Sequence, residues 1–529
     1  MVESCPATRG VVKIPWFLRF GRCIALAYFS LALFAVAFLA PRLPYACKGE
    51  EASLSLPCLA VVVIVGLVVS VALAKRRPKV NVDFLGLRMF RRVSISLAVV
   101  VFVLQICLIN SIYFETGWDV GVLMSGLSDE GATLDYFSRY PNQLYLLFIF
   151  KTVGHFCQLI GFQNVYLMLD VVGAACVSLA VVLTSFVVAR LAGFGPGYYT
   201  LAFGCLYLSF SPWIAVPYSD TYGTICPALV LFLYNNTGRS PLRTFSMLFF
   251  GMVGYFIKPT AIFVVVSIVL IEAACAISRR RIVVDGQLKC SQIKSLFFQF
   301  AAITCALVLS FGANSLAREA GPVIDADKSF SMAHFLMMGF NDETYGSYYE
   351  DDVIYSASFG SQQDRSHANF EKWAERLESL GPQGVLKLMV QKTISNYSDG
   401  TFAWAAEGNF FLSTPHSDNT LSKFFGEDGS FTLFQVFAQL CWMFVLVGMC
   451  LNWLKLPRSK TEYVVLCSVF LLSVFLMLFE CRARYLFLYS PFFIALAVLG
   501  WRNLVDVIAK RFPETGCLAE KDSVGFSLR

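Results

Sequence analysis

The sequence is short of charge. Only 15% of its 529 residues are Asp, Glu, Lys or Arg, against about 25% in soluble domains, which excludes a string of ordinary soluble domains. Histidine is scarcer still. The four residues His155, His334, His367 and His416 have no spacing that suits a zinc site. No G-x-x-x-x-G-K-[ST], no G-x-G-x-x-G opening a helix after a strand, and no H-E-x-x-H occurs, so the usual signatures of nucleotide binding and zinc hydrolysis are missing. The 17 cysteines form no disulfide framework, because most lie inside apolar runs, as Cys107, Cys176, Cys205, Cys305 and Cys467 do. There they read as small buried hydrophobes. Basic residues flank apolar runs rather than forming a patch of their own, which leaves nucleic acid without support as a partner.

Apolar residues make up 57% of the chain and the mean hydropathy is +0.64. The composition fits an all-α polytopic membrane protein. Crossing the hydrocarbon core takes about 20 mostly apolar residues. Twelve segments qualify: 23–40, 57–74, 94–113, 165–189, 197–216, 221–236, 243–257, 259–276, 295–313, 431–453, 461–479 and 486–505. The first, though preceded by Arg9, Lys13, Arg19 and Arg22, lacks a small-residue cleavage site and reads as a retained anchor.

Lys and Arg in short loops set orientation. Clusters at 9–22, 75–92, 239–243, 279–294 and 455–460, with Arg502, Lys510 and Arg511, place both termini in the cytoplasm and two larger loops, 114–164 and 314–430, outside. The second loop carries 17 acidic and 8 basic residues, while the rest of the chain has 19 and 34. An acidic outside opposes a basic inside. The expected organisation is a cytoplasmic segment with an added hairpin (1–93), a core holding the first outer loop (94–313), an acidic outer loop (314–430) and closing helices with a cytoplasmic tail (431–529). The acidic loop is expected to form a small, partly helical cap, with helices at 366–380 and 383–398 divided by Gly381-Pro382, a helix-stop pair.

Residues 142–160 resemble a further span. Their uninterrupted apolar run covers only Leu144–Phe150, and Lys151, His155 and Gln158 then recur on one helical face. Crossing here would invert the parity of every later loop, so the segment is expected to lie in the outer interface.

The first outer loop carries the chemistry. Asp119 follows the third span by six residues, Gly126 comes seven later, and Tyr136, Phe137, Tyr140, Pro141 and Asn142 lead into the interfacial helix. PYSDT at 217–221, Lys258-Pro259 and ECRARYLFLYSP at 480–491 all fall at outer span ends. In these features the chain resembles the GT-C superfamily of integral-membrane glycosyltransferases, which includes protein mannosyltransferases, aminoarabinose transferases and the lipopolysaccharide galacturonosyltransferase group. Their first outer loop opens with an acid, often Asp-Glu, and ends in a Pro motif that starts a juxtamembrane helix. Val120 departs from the pattern at the second acid. A true acidic pair, Asp129-Glu130, stands only eleven residues before Pro141, closer than the family spacing. The resemblance covers about residues 94–505 and implies that Asp119 is the catalytic base. It also implies a polyprenyl-phosphate sugar donor and an acceptor glycan, polymer or protein outside a bacterial plasma membrane.

The residues support this without the family. Arg139, Lys258, Arg482 and Arg484 stand at outer span ends, where cations are depleted. A lipid phosphate is the partner that guanidinium suits, with Tyr485 beside it and Asp220 and Glu480 as further site candidates. A phosphate leaving group needs no general acid, only cations that stabilise its charge. One carboxylate then suffices to deprotonate the acceptor, with inversion expected. No cofactor is called for; a divalent cation in the acidic loop stays open, with no ligand spacing that commits it. Each residue also has a plainer role: Asp119 as a loop acid or N-cap, Asp220 as a cap, Lys258 as a snorkelling cation, and Glu480–Arg484 as an i,i+4 ion pair. The competing class is a transporter or lipid flippase, which would place its charges mid-span.

Overall fold

The computed structural model describes residues 15–49, 51–76, 84–128, 130–236, 238, 240–280, 290–405, 420–425 and 431–511. Asp129, Arg239, Arg281 and His416 lie outside the described residues. Among those described there is no strand. The chain opens with α1 (Trp16–Phe34), α2 (Glu51–Lys75) and α3 (Phe84–Ile112). Two short helices, α4 (Trp118–Ser125) and α5 (Glu130–Arg139), lead through a 3-10 turn at Pro141–Gln143 into α6 (Leu144–Ile160). The core continues with α7 (Val165–Ala192), α8 (Phe194–Gly204), α9 (Ser219–Gly223), α10 (Ile225–Tyr234), α11 (Pro241–Ile257), α12 (Phe263–Arg280) and α13 (Cys290–Glu319). The acidic segment supplies α14 (Met332–Gly339), α15 (Glu350–Ala357) and α16 (Gln362–Tyr397), followed by α17 (Thr420–Phe425), α18 (Phe431–Cys450), α19 (Lys460–Leu478) and α20 (Ser490–Ala509).

Among the described residues, ten helical segments are long and apolar enough to cross a membrane. The protein is a multi-pass integral membrane protein. Nine of the ten coincide with expected spans, and the tenth is Pro141–Ile160. The expected spans 197–216, 221–236 and 243–257 are shorter. α8 passes into a π-helical turn, Cys205–Ser209, and stops at Ser211-Pro212. Proline lacks an N–H and clashes with the preceding turn, so Pro212 and Pro217 hold 212–218 out of regular helix. This irregular stretch is buried, and backbone at such depth must be satisfied internally. The Thr221 hydroxyl donates to Val216 O at 3.0 Å, and Ser211 Oγ accepts from Trp213 N at 3.4 Å.

The two ends of the bundle differ in chemistry. At one end the Arg190 guanidinium donates to the Asn236 side chain, and Lys460 pairs with Glu272 at 2.7 Å. Lys455 pairs there with Asp506 at 2.5 Å, and Arg22 donates to the carbonyl oxygens of Asn452 and Lys455. The opposite end holds Asp119, Asp220, Lys258 and Arg484. α6 meets neighbours at this second end. Lys151 Nζ donates to Ala320 O, just past α13, at 2.9 Å. Tyr145 packs on Phe256 near the end of α11 (5.6 Å), and Phe150 on Tyr222 of α9 (6.1 Å). Its far edge exposes Phe156, Leu159 and Ile160. These contacts fall on α9 and at the ends of α11 and α13.

The acidic segment is more than a cap. As expected, it breaks at Gly381 (φ 58°), which splits α16 in two. α14, α15 and the first half of α16 are tied by Arg365, which donates to the carbonyl oxygens of Ser356, Asp327, Ser329 and Phe359. From Leu388 onward most of the chain is buried, through Trp404. Tyr397 shares a 2.6 Å hydrogen bond with Ser473 of α19, and its carbonyl accepts from Trp442 Nε1 of α18 at 2.7 Å. Asp399 accepts from Thr401 N and Ala403 N, both at 2.7 Å, pinning a turn in which Phe402 and Ala403 have positive φ.

Candidate functional site

The site begins where α3 stops. Tyr113 donates to Glu115 at 3.0 Å, and Tyr166 OH accepts from Thr116 N at 2.9 Å. These bonds fasten the segment between α3 and α4 to the start of α7. Trp118 then enters α4 with φ 52°. A bulky residue in the left-handed region costs about 1–3 kcal/mol, and such strain collects at functional sites. Asp119 follows in the first turn of α4, where the helix dipole favours a negative charge.

Asp119 is half-buried, and its Oδ2 accepts from Tyr218 OH at 2.5 Å. Gln143 Nε2 donates to the same phenol oxygen at 2.8 Å. Tyr136 lies close enough to Asp119 to feel its charge. Burial, then the Asp119 charge, pushes both phenols well above their ordinary range. They stay protonated, and the Tyr218 hydroxyl points its donor at the carboxylate.

Behind this lies a buried ion cluster. Asp220, fully buried in α9, pairs with Lys258 through Oδ1 and with Arg484 Nε through Oδ2 at 3.5 Å. Burial pushes the Lys258 ammonium below its ordinary value, and Asp220 opposes it. Lys258 sits 4.5 Å from the Tyr485 ring centre. Arg484 lies over Trp118 (4.8 Å), Tyr218 (5.2 Å) and Tyr485 (5.6 Å). Cation–π contacts strengthen where water is excluded. Nearer the surface, Arg482 lies over Trp118 (5.8 Å) and Tyr348 (5.9 Å), with its Nε 3.9 Å from Glu480. Glu480 accepts from Tyr485 OH at 3.0 Å. Arg482 is the more open of the two arginines, at 20% side-chain exposure against 4%.

Of the residues singled out from sequence, Asp119, Asp220, Lys258, Glu480, Arg482, Arg484 and Tyr485 come together. Tyr140 borders them, packed on Tyr136 (5.2 Å) and Phe330 (5.4 Å), and burial pushes its phenol upward. Pro141 starts the 3-10 turn that delivers Gln143, while Asn142 faces solvent. Arg139 does not join the cations. Its guanidinium pairs with Asp135 at 2.6 Å, one helical turn back on α5, and Asp135 also holds Lys328. The i,i+4 spacing of Asp135 and Arg139 carried that signal. The expected i,i+4 pairing of Glu480 with Arg484 is replaced by one with Arg482, because 480–482 is not helical. Sequence reasoning missed Trp118, Gln143 and Tyr348, which nothing in the spacing marks, and it singled out Tyr218 only as part of the PYSDT motif. Among the described residues, no three His, Cys, Asp or Glu side chains gather as metal ligands would.

No curated protein and no solved structure matches the chain. A family model does, over residues 21–505, a stretch that takes in every side chain of the cluster around Asp119. The chain belongs to that family, described as conserved hypothetical integral membrane proteins.

Proposed function

We propose that the protein is a membrane glycosyltransferase of the GT-C type, moving a sugar from a polyprenyl-phosphate donor to a hydroxyl of a cell-envelope glycan, polymer or protein. The carrying observation is one juxtaposition. A half-exposed carboxylate, Asp119, stands beside two arginines that share its neighbour Trp118. In this reading the donor phosphate binds at Arg482, with Arg484 and Lys258 behind it. Their positive field stabilises the phosphate as the glycosidic C–O bond breaks, so no acid is needed at the leaving group. Tyr218 and Tyr136 orient Asp119, which takes the proton of the acceptor hydroxyl as it attacks the anomeric carbon from the opposite face. The product is inverted, and the proton leaves to water. Asp220 keeps Lys258 and Arg484 in place between turnovers. We assign the site to the extracytoplasmic face of a plasma membrane, with both termini cytoplasmic and α6 in the outer interface. The basic residues gathered at the other end of the bundle support this orientation.

One observation favours a transporter instead. Asp170, fully buried in α7, has no hydrogen-bond partner among the described residues, and such groups mark ion paths. It is the sixth residue of its helix, near the Asp119 end rather than mid-span, so glycosyl transfer remains the reading. The test is Asp119→Asn, assayed with radiolabelled lipid-linked sugars and cell-envelope acceptors. Transfer should fall at least about 1000-fold, on the scale of losing an essential general base, with thermal stability unchanged. Near-normal transfer by the variant would remove Asp119 from the chemistry.

A further inference from the structure

The acidic segment reaches the site through one buried lysine. Lys392, on the second half of α16, is wholly buried. Its Nζ donates to Gly339 O at the end of α14 and to Phe479 O just past α19, both at 2.6 Å. Phe479 directly precedes Glu480, so this ammonium grips the segment that carries Glu480, Arg482 and Arg484. The grip is reinforced beside it. Cys481 N donates to Gly346 O at 2.9 Å, and Cys481 Sγ to Tyr345 O at 3.4 Å. Gly346 has φ 75°, and a Cβ there would lie 2.6 Å from Gly339 O and 2.9 Å from Lys392 Cδ. A Cβ on Gly339 would strike the Phe479 backbone at 2.6 Å. Two glycines, one lysine and the 479–481 backbone thus interlock, and Tyr348, two residues beyond Gly346, covers Arg482.

We propose that Lys392 is a positioning residue that sets Arg482 and Arg484 for a phosphate-bearing lipid, making the 339–348 loop a fixed wall of the anion site. The inference rests on the phosphate-site reading given above. Three observations support it. A buried ammonium needs acceptors, and the two it has come from different segments. The clamped carbonyl lies three residues from Arg482, too few for the arginine to hold its place if the segment moves. Burial pushes Lys392 down to about 8, yet a neutral amine retains two N–H groups for two carbonyls, so the grip survives either protonation state.

The experiment uses the full-length protein in detergent, with dodecyl phosphate as the probe and calorimetry as the readout. Wild-type protein should bind it. Lys392→Met should weaken binding at least tenfold at a temperature where it is folded. Arg365→Met loosens the same segment away from residue 479 and should leave the affinity within twofold. Equal losses in both variants would reduce Lys392 to general support of the fold, and an unchanged affinity in Lys392→Met would overturn the proposal. No binding by wild-type protein would instead overturn the phosphate-site reading. Should Lys392→Met not fold, hydrogen exchange on the wild type decides. Dodecyl phosphate should raise protection at 339–346 together with 479–485; protection confined to 482–485 would refute the clamp.

Discussion

The two ends of the bundle hold their cations in different ways. At one end Arg22, Arg190, Lys455 and Lys460 reach carbonyl oxygens, an amide and carboxylates near the surface. That is how span-end cations are ordinarily satisfied. At the other, Lys258 and Arg484 share a single buried carboxylate and lie against aromatic rings. Stability alone does not call for this arrangement, because buried ion pairs rarely outperform apolar packing. These costly charges sit beside Trp118, one of five non-glycine residues with positive φ among those described, and in the proposed function it is an anionic ligand that makes use of them.

The contrast can be broken most sharply by labelling single cysteines from each side of intact cells. A probe at Gln163, after α6, should react from outside. One at Gly195, in the first turn of α8, should react only from inside. Gly195 is preferable to Gly193, whose φ of 97° would strain any side chain, and it has open space around it. The exposed Cys47, Cys107 and Cys305 must first be replaced. The reverse pattern would mean that α6 crosses, and the orientation would invert.

Stability separates the ends next. Asp220→Asn leaves Lys258 and Arg484 buried without their carboxylate and should cost about 3–5 kcal/mol, seen as a large fall in the detergent melting temperature. Glu272→Gln, at the opposite end, should cost under about 1 kcal/mol, as exposed pairs do. Similar losses would erase the distinction between the ends.

A smaller effect sharpens it from the outer side. His334 is buried against Phe330 (4.3 Å between ring centres) and bonded to Ser356 at 2.7 Å, and burial pushes it down to about 4. The folded state thus resists a proton that the unfolded chain accepts near pH 6.5. Stability of the acidic segment is complete above that value and falls as pH drops toward 4, by about 2 kcal/mol at pH 5. Hydrogen-exchange protection factors in α14 and α15, referred to the intrinsic rate at each pH, should therefore fall between pH 7 and 5, and His334→Gln should flatten the dependence.

Legibility followed the physics of each element. Long apolar runs, the Gly381 break and the acids and cations at span ends stand out because hydropathy and charge mark them. Trp118, Tyr218 and Gln143 do not, because aromatic and amide residues are common near span ends and only the fold brings them to Asp119. The broken stretch between α8 and α10 is as apolar as a span, and its prolines were the one available sign. The burial of 388–404 is hidden in the sequence by the acidic balance of the whole stretch 314–430. The acids crowd between Glu319 and Glu378, whereas 388–398 contains none and Asp399 is enclosed by its own turn.

Under the proposed function, Trp118 sets the ease of its backbone against the hold on an anion. Its backbone conformation is one that glycine adopts freely, while its indole lies against both Arg482 and Arg484. Trp118→Gly would therefore free the backbone while stripping a ring from both arginines, and in the proposed function the anion would be lost with it.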